Sequence, residues 1–241
     1  MPHGVYAALS GLQARADRLD RLAVDIANSS TAGYKIERAG ARVAGRGSFA
    51  SVLDSVFDVV AGAPRTNFAT GPLVPTGRDL DFAIEGPGFF SVQTPAGVRY
   101  TRNGHFTRLA DGTVTTVDGS PLLGESGSPL KLPPGSLEIG PDGTLRVGKT
   151  TVGRPAVTVF EEPERLIRED GVHFRAPDDL AGEANTDGTI RAGSLEQSNV
   201  AMAESMAQLT DVVRGFEALH RGISVLMNDM DGRAITELGR R

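Results

Sequence analysis

The chain has 241 residues, with 25 basic and 30 acidic side chains and a formal charge of −5, so charge favours neither a polyanion nor an anionic membrane surface as partner. It has no cysteine, which removes disulfides, thiolate metal sites and thiol redox chemistry. No run of about 18 apolar residues marks a membrane span, and no apolar stretch behind a basic cluster marks a secretory signal.

From the start, Val5, Leu9, Leu12, Ala16, Leu19, Ala23 and Ile26 recur at alternating steps of four and three. That spacing predicts a helix with a heptad seam. Arg15, Asp17, Arg18, Asp20 and Arg21 flank the seam, and Asp17–Arg21 is a favourable acid-before-base pair. Near the other end Met202, Met206, Leu209, Val213, Phe216, His220, Ile223, Met227, Met230 and Ala234 follow the same steps. Ser198 or Asn199 is the expected N-cap of this second helix. Helices of roughly 22 and 38 residues would span about 33 and 57 Å. A helical hairpin, or helices laid on a sheet, is the plain alternative. Regular seams at both ends favour a coiled coil joining them. Beside the second seam, Gly215, Ala218 and Gly222 form a face of small residues. It is either a solvated surface or a place where a neighbouring subunit's helix packs closely.

Between these ends the texture is β. Short apolar runs such as "DLDFAIEG", "GFFSVQT", "TLRVG" and "AVTVF" are strand candidates. Asp-Gly pairs at 111–112, 118–119, 142–143, 170–171 and 187–188 are hairpin signals. The expected fold is therefore mixed α and β, with long N- and C-terminal helices forming a coiled-coil domain and a central all-β domain of hairpins. The expected boundaries are 1–35 with 197–241 for the helical domain, 36–65 for a linker with a short helix at 49–60, and 66–196 for the β-domain.

One stretch invites an enzymatic reading. Gly143, Gly148, Lys149 and Thr150 match the G-x-x-x-x-G-K-[ST] phosphate loop. Such a loop needs a strand before it and a helix directly after it, so that backbone amides face the phosphates. Here "TLRV" reads as a strand and "TTVGRPAVTVF" continues as β, so the match is accidental. His3, His105, His173 and His220 are scattered without metal-ligand spacing, and no carboxylates are placed as an acid–base pair. No catalytic, cofactor or metal site is expected.

"DIANSSTAGYK" (25–35) closes the first helix, with Asn28 at its end and Gly33 free to turn left-handed. Ala27, Asn28, Thr31, Gly33, Tyr34 and Lys35 match the Ala-Asn-x-x-Thr-x-Gly-[Tyr/Phe]-Lys signature, and the chain resembles the flagellar basal-body rod and hook proteins. "DLDFAIEGPGFFSVQTPAGVRYTRNGHF" and the stretch after it resemble that family's β-domain. "GSLEQSNVAMAESMAQLTDVVRGFEA" resembles the opening of its C-terminal helix. The length, "YTRNG" (100–104) and "PLLGESGSPLKLP" are most similar to the proximal-rod type.

The resemblance implies a non-enzymatic structural subunit of the periplasmic rod of the flagellar basal body. It would be exported through the flagellar type III apparatus and assemble with copies of itself and other rod proteins into a tubular drive shaft. It implies no cofactor, no nucleic acid and no membrane insertion. The helix residues that such assembly would use are Val5, Leu9, Leu12, Leu19, Ile26, Met206, Leu209, Val213, Phe216, Ile223 and Met227, with Gly215, Ala218 and Gly222 at close crossings. The alternatives are a distal-rod protein of the same family and a secreted β-rich fibre or adhesin subunit.

Overall fold

A computed structural model describes residues 2–40, 62–140, 143–185 and 189–238. The chain divides into two compact units. One comprises 1–27, 39–64 and 201–241; the other comprises 28–38 and 65–200. The expected short helix at 49–60 lies outside the described residues.

The first unit holds helix α1 (Pro2–Ala27) and helix α2 (Met202–Leu238), which pack against each other. The expected coiled-coil domain is not what forms, and the seam reading is corrected as follows. A heptad seam requires both of its apolar positions to be covered. Yet Met202, Met206 and Val213 are exposed, Val213 by 39%, and His220 is exposed too. The covered positions of α2 are Ser205 and Val212, and on α1 they are Leu22 and Asp25. Each lies one residue before a seam position on a helix that turns about 100° per residue. Leu12, Leu19, Ile26, Leu209 and Phe216 are half-buried. A guanidinium also sits between the helices, Arg15 donating to the Gly215 carbonyl. The side chains of Val5, Leu9, Ile223 and Met227 lie outside the described residues.

Among its described residues the second unit is strand, turn and loop apart from a 3-10 turn at Pro163–Arg165. Its largest sheet has six antiparallel strands in the order Ile167–Arg168, His173–Arg175, Gly97–Thr101, Phe89–Thr94, Val157–Val159 and Glu183–Ala184. Side chains alternate across a strand, and in Phe89–Thr94 both faces are covered. Phe90 and Val92 enter a core with Phe82, Ile84, Phe106, Leu122, Leu145 and Ile190. Phe89 faces a second core with Phe160, Leu166, Phe174 and Leu180. Edge-to-face ring pairs fix both cores, Phe90 on Phe106 at 5.4 Å and Phe89 on Phe68 at 5.2 Å.

Several Asp-Gly signals sit at tight turns. Gly112 N donates to Leu109 O at 3.0 Å, and Gly119 N donates to Thr116 O at 3.0 Å. Asp142 and the pair 187–188 lie outside the described residues.

Candidate functional site: a buried charge cluster uniting three motifs

The phosphate-loop match is a hairpin tip. Leu145–Val147 pairs with Thr150–Gly153, with Val147 opposite Thr150. Gly148 and Lys149 are the two residues between them. Gly148 takes φ +59°, the left-handed geometry that two-residue hairpin turns need. The chain goes on as a strand, so no helix N-terminus faces Lys149. His105 and His173 are likewise held locally. His105 Nδ1 lies 2.8 Å from Asp81, and His173 Nδ1 lies 3.0 Å from Asp170.

The strongest constellation lies where the chain enters and leaves the β unit. After α1, Asn28 and Thr31 close a turn, Thr31 N donating to Asn28 O at 3.0 Å and Thr31 Oγ1 to Asn28 Oδ1 at 3.1 Å. Gly33 follows at φ +71°, and its amide donates to Glu196 O at 2.7 Å. A Cβ on Gly33 would stand 2.2 Å from Asn103 N, so the chain there lies directly on the "YTRNG" loop. That close approach turns Tyr34 and Lys35 inward. Both are fully buried.

Lys35 Nζ pairs with Glu196 Oε1 and donates to Ala69 O at 2.8 Å. The other oxygen of Glu196 accepts from Arg102 Nη1 at 3.1 Å. Gly71 N donates to Glu196 Oε1 at 2.9 Å, and Arg102 Nη2 donates to Gly86 O at 2.9 Å. Two cations thus share one buried carboxylate. Burial pushes Lys35 below its ordinary value, opposed by the Glu196 charge, and burial also lowers Arg102. An ion group this deep is held by geometry, because desolvation offsets most of the attraction while loss of one partner is severe.

Around it, Arg168 stacks over Tyr34 at 4.8 Å and Phe174 at 5.2 Å. Its guanidinium donates to Lys35 O and, at 2.9 Å, to Glu37. Asn199 is not an N-cap. Its Oδ1 accepts from Ile36 N at 2.8 Å, and its Nδ2 donates to Asn67 O at 2.8 Å and Ala69 O at 3.0 Å. Its side chain instead ties the outgoing segment to the incoming one. Ser198 Oγ accepts from Val200 N at 3.3 Å.

The three stretches that carried the resemblance therefore converge: 28–35, 100–104 and 194–199. A family model described as the flagellar hook protein FlgE/F/G D1 domain matches residues 83–147, and one described as the flagellar basal body rod FlgEFG protein C-terminal matches 191–237. The chain is 33% identical over 225 residues to the flagellar basal-body rod protein FlgF of Caulobacter vibrioides, covering 91% of each chain. It is 32% identical to the FlgF protein of Rhizobium meliloti, over 99% of each. The chain belongs to the flagellar basal-body rod protein family, FlgF type. It is a structural subunit of the basal-body rod. A FlgG rod protein of Bacillus subtilis is 30% identical over 90% of this chain.

Of the residues the sequence singled out, Asn28, Thr31, Gly33, Tyr34 and Lys35 come together, while Ala27 is the exposed last residue of α1. Gly215 faces Arg15, a Cβ there standing 3.1 Å from Nη1, whereas Ala218 and Gly222 are exposed with open space above Gly222. Sequence reasoning missed Glu196, Arg102, Arg168 and Asn199 as partners. A signal existed for the first: a lysine beside a buried tyrosine needs a counter-charge, and "GSLEQSN" holds a single carboxylate.

Proposed function

We propose that this rod subunit belongs to the proximal rod and that the Lys35–Glu196–Arg102 cluster is its structural clasp. The chain leaves the β unit for α1 and for α2 through segments the clasp pins side by side. A subunit that transmits torque needs those two exits fixed relative to its sheet, and in this chain the role assigned to the buried ion group is to fix them, since losing either partner is costly. The carrying observation is that all three motif stretches meet at one carboxylate.

The chain is exported by the flagellar type III apparatus, meets copies of itself and other rod proteins in the periplasm, and catalyses nothing. The exposed residues Met202, Met206, Val213, Ala218 and Gly222 are where neighbouring subunits cover α2.

Imaging basal bodies from cells with and without this protein tests the proposal. Rods truncated at their proximal part and lost motility are expected. Complete rods and normal swimming in its absence would overturn it.

A further inference from the structure

The β unit carries an open pocket of about 320 Å³ walled by Phe68, Pro87, Phe89, Phe160 and Pro163, with Thr70 exposed at its rim. Of the Arg102 guanidinium that reaches this pocket, Nη1 and Nη2 are taken by Glu196 and Gly86 O and the buried Nε has no partner, so apart from that one N–H the wall is chiefly apolar. The segment supplying two walls also bears exposed Glu161, Glu162 and Glu164. Arg165 binds Glu162 at 3.2 Å and also Asp179, which leaves the rim strongly acidic.

An apolar pocket behind acids suits an apolar anchor between cations. The same unit presents one. Leu109 is 50% exposed at a tight tip, held by Leu109 N to Thr113 O at 2.9 Å and Gly112 N to Leu109 O at 3.0 Å. Arg108 precedes it, fixed on Pro133 O at 2.8 Å, and Lys131 lines the same depression. One carboxylate, Asp111, lies 3.9 Å from Lys131, so the patch stays net positive.

Other exposed apolar residues of the unit fit worse. Val117 sits beside Asp118, Ile167 lies on the acidic segment itself, and Val98 adjoins Arg99, which Glu169 holds. Val74 stands between Leu73 and Pro75, with no cation next to it.

We infer that Leu109 of one copy seats in the Phe68–Phe89–Phe160 pocket of the next, with Arg108 and Lys131 against the Glu161–Glu164 rim. Pocket and anchor are different patches of one chain, so the contact is head to tail and closes a ring or propagates a helix. The inference rests on the rod-subunit reading and adds a specific contact to it.

The chain has no native cysteine, which makes cross-linking clean. Thr70→Cys with Ala110→Cys in one chain, oxidised in purified basal bodies, is expected to give a disulfide ladder beyond the dimer. Either single variant gives none beyond the dimer. Lys131→Glu should cut cross-linking roughly fivefold, and adding Glu161→Lys should restore it, as for one rim ion pair. Leu109→Asp should lower rod incorporation at least about tenfold, the loss expected of a central anchor, with monomer unfolding unchanged. Basal bodies that contain the double-cysteine chain only as monomer, or normal incorporation of Leu109→Asp, would sink the contact and leave the rod reading intact. Wild-type chain missing from basal bodies altogether would sink both.

Discussion

The helical unit and the β unit are built on opposite principles. In α1 and α2 every apolar choice is local, and the pattern admits more than one phase. Val212 and Val213 are neighbours, as are Leu22 and Ala23, and periodicity alone cannot choose between them. Packing buries Val212 and Leu22 and leaves Val213 outside. In the β unit the decisive contacts join residues as far apart as Lys35 and Glu196, and a buried ion group loses much when one partner is removed.

The sharpest way to break this contrast is to remove the shared carboxylate. Glu196→Ala leaves Lys35 and Arg102 buried without a counter-charge and is expected to destabilise the β unit by about 3–5 kcal/mol. Urea titration followed by circular dichroism measures it. A loss under about 1 kcal/mol would mean that water reaches the cluster and that geometry there is not fixed by charge.

Gly33→Ala tests the same clasp through the backbone. Alanine is strained at φ +71°, and its Cβ would meet Asn103 N at 2.2 Å. A loss of about 2–3 kcal/mol is expected in the same titration, and near-neutral behaviour would show that 28–35 can lift off the loop.

Lys35→Met is milder, because Glu196 keeps Arg102 and the Gly71 amide. About 1–2 kcal/mol is expected near neutrality. The pH dependence carries a sign. Burial sets the folded value of Lys35 below its ordinary 10.5, so the unfolded chain binds that proton more tightly. Its contribution to stability therefore rises with pH towards 10.5 and falls as pH drops through the lowered folded value. The gap between wild type and Lys35→Met should widen from pH 7 to pH 10. A gap that narrows would mean that the Glu196 attraction outweighs desolvation.

Legibility followed the same divide. Several strands of the β unit and the turns at 111–112 and 118–119 are readable from alternation and Asp-Gly pairs, because those are local signals. The match of 28–35 marked half of the clasp. Glu196 and Arg102 stayed hidden as partners, since a charge on a strand reads as solvated until topology covers it. Asn199 was misassigned for a related reason: an asparagine before a helix is a good cap in isolation, and here the backbone of Ile36, Asn67 and Ala69 outcompetes that role. In the helical unit the period was legible, but the phase was not.

The smallest effect is expected at the nucleotide-like motif, and it bears on the contrast most directly. Lys149 sits at the tip of the hairpin between Val147 and Thr150, exposed, and Gly148 supplies the turn geometry. No described residue pairs with its ammonium, so Lys149→Ala should change stability by no more than about 0.5 kcal/mol and leave swimming unaltered. A phosphate-binding lysine behaves otherwise, because its charge answers buried phosphate oxygens and its loss abolishes binding. Isothermal titration of the wild type with Mg-ATP and Mg-GTP should give no saturable heat. Saturable binding lost in Lys149→Ala would mean that a four-residue spacing in a glycine-rich hairpin had carried chemistry after all. It would also remove the reason for treating local pattern as the weaker guide in this chain.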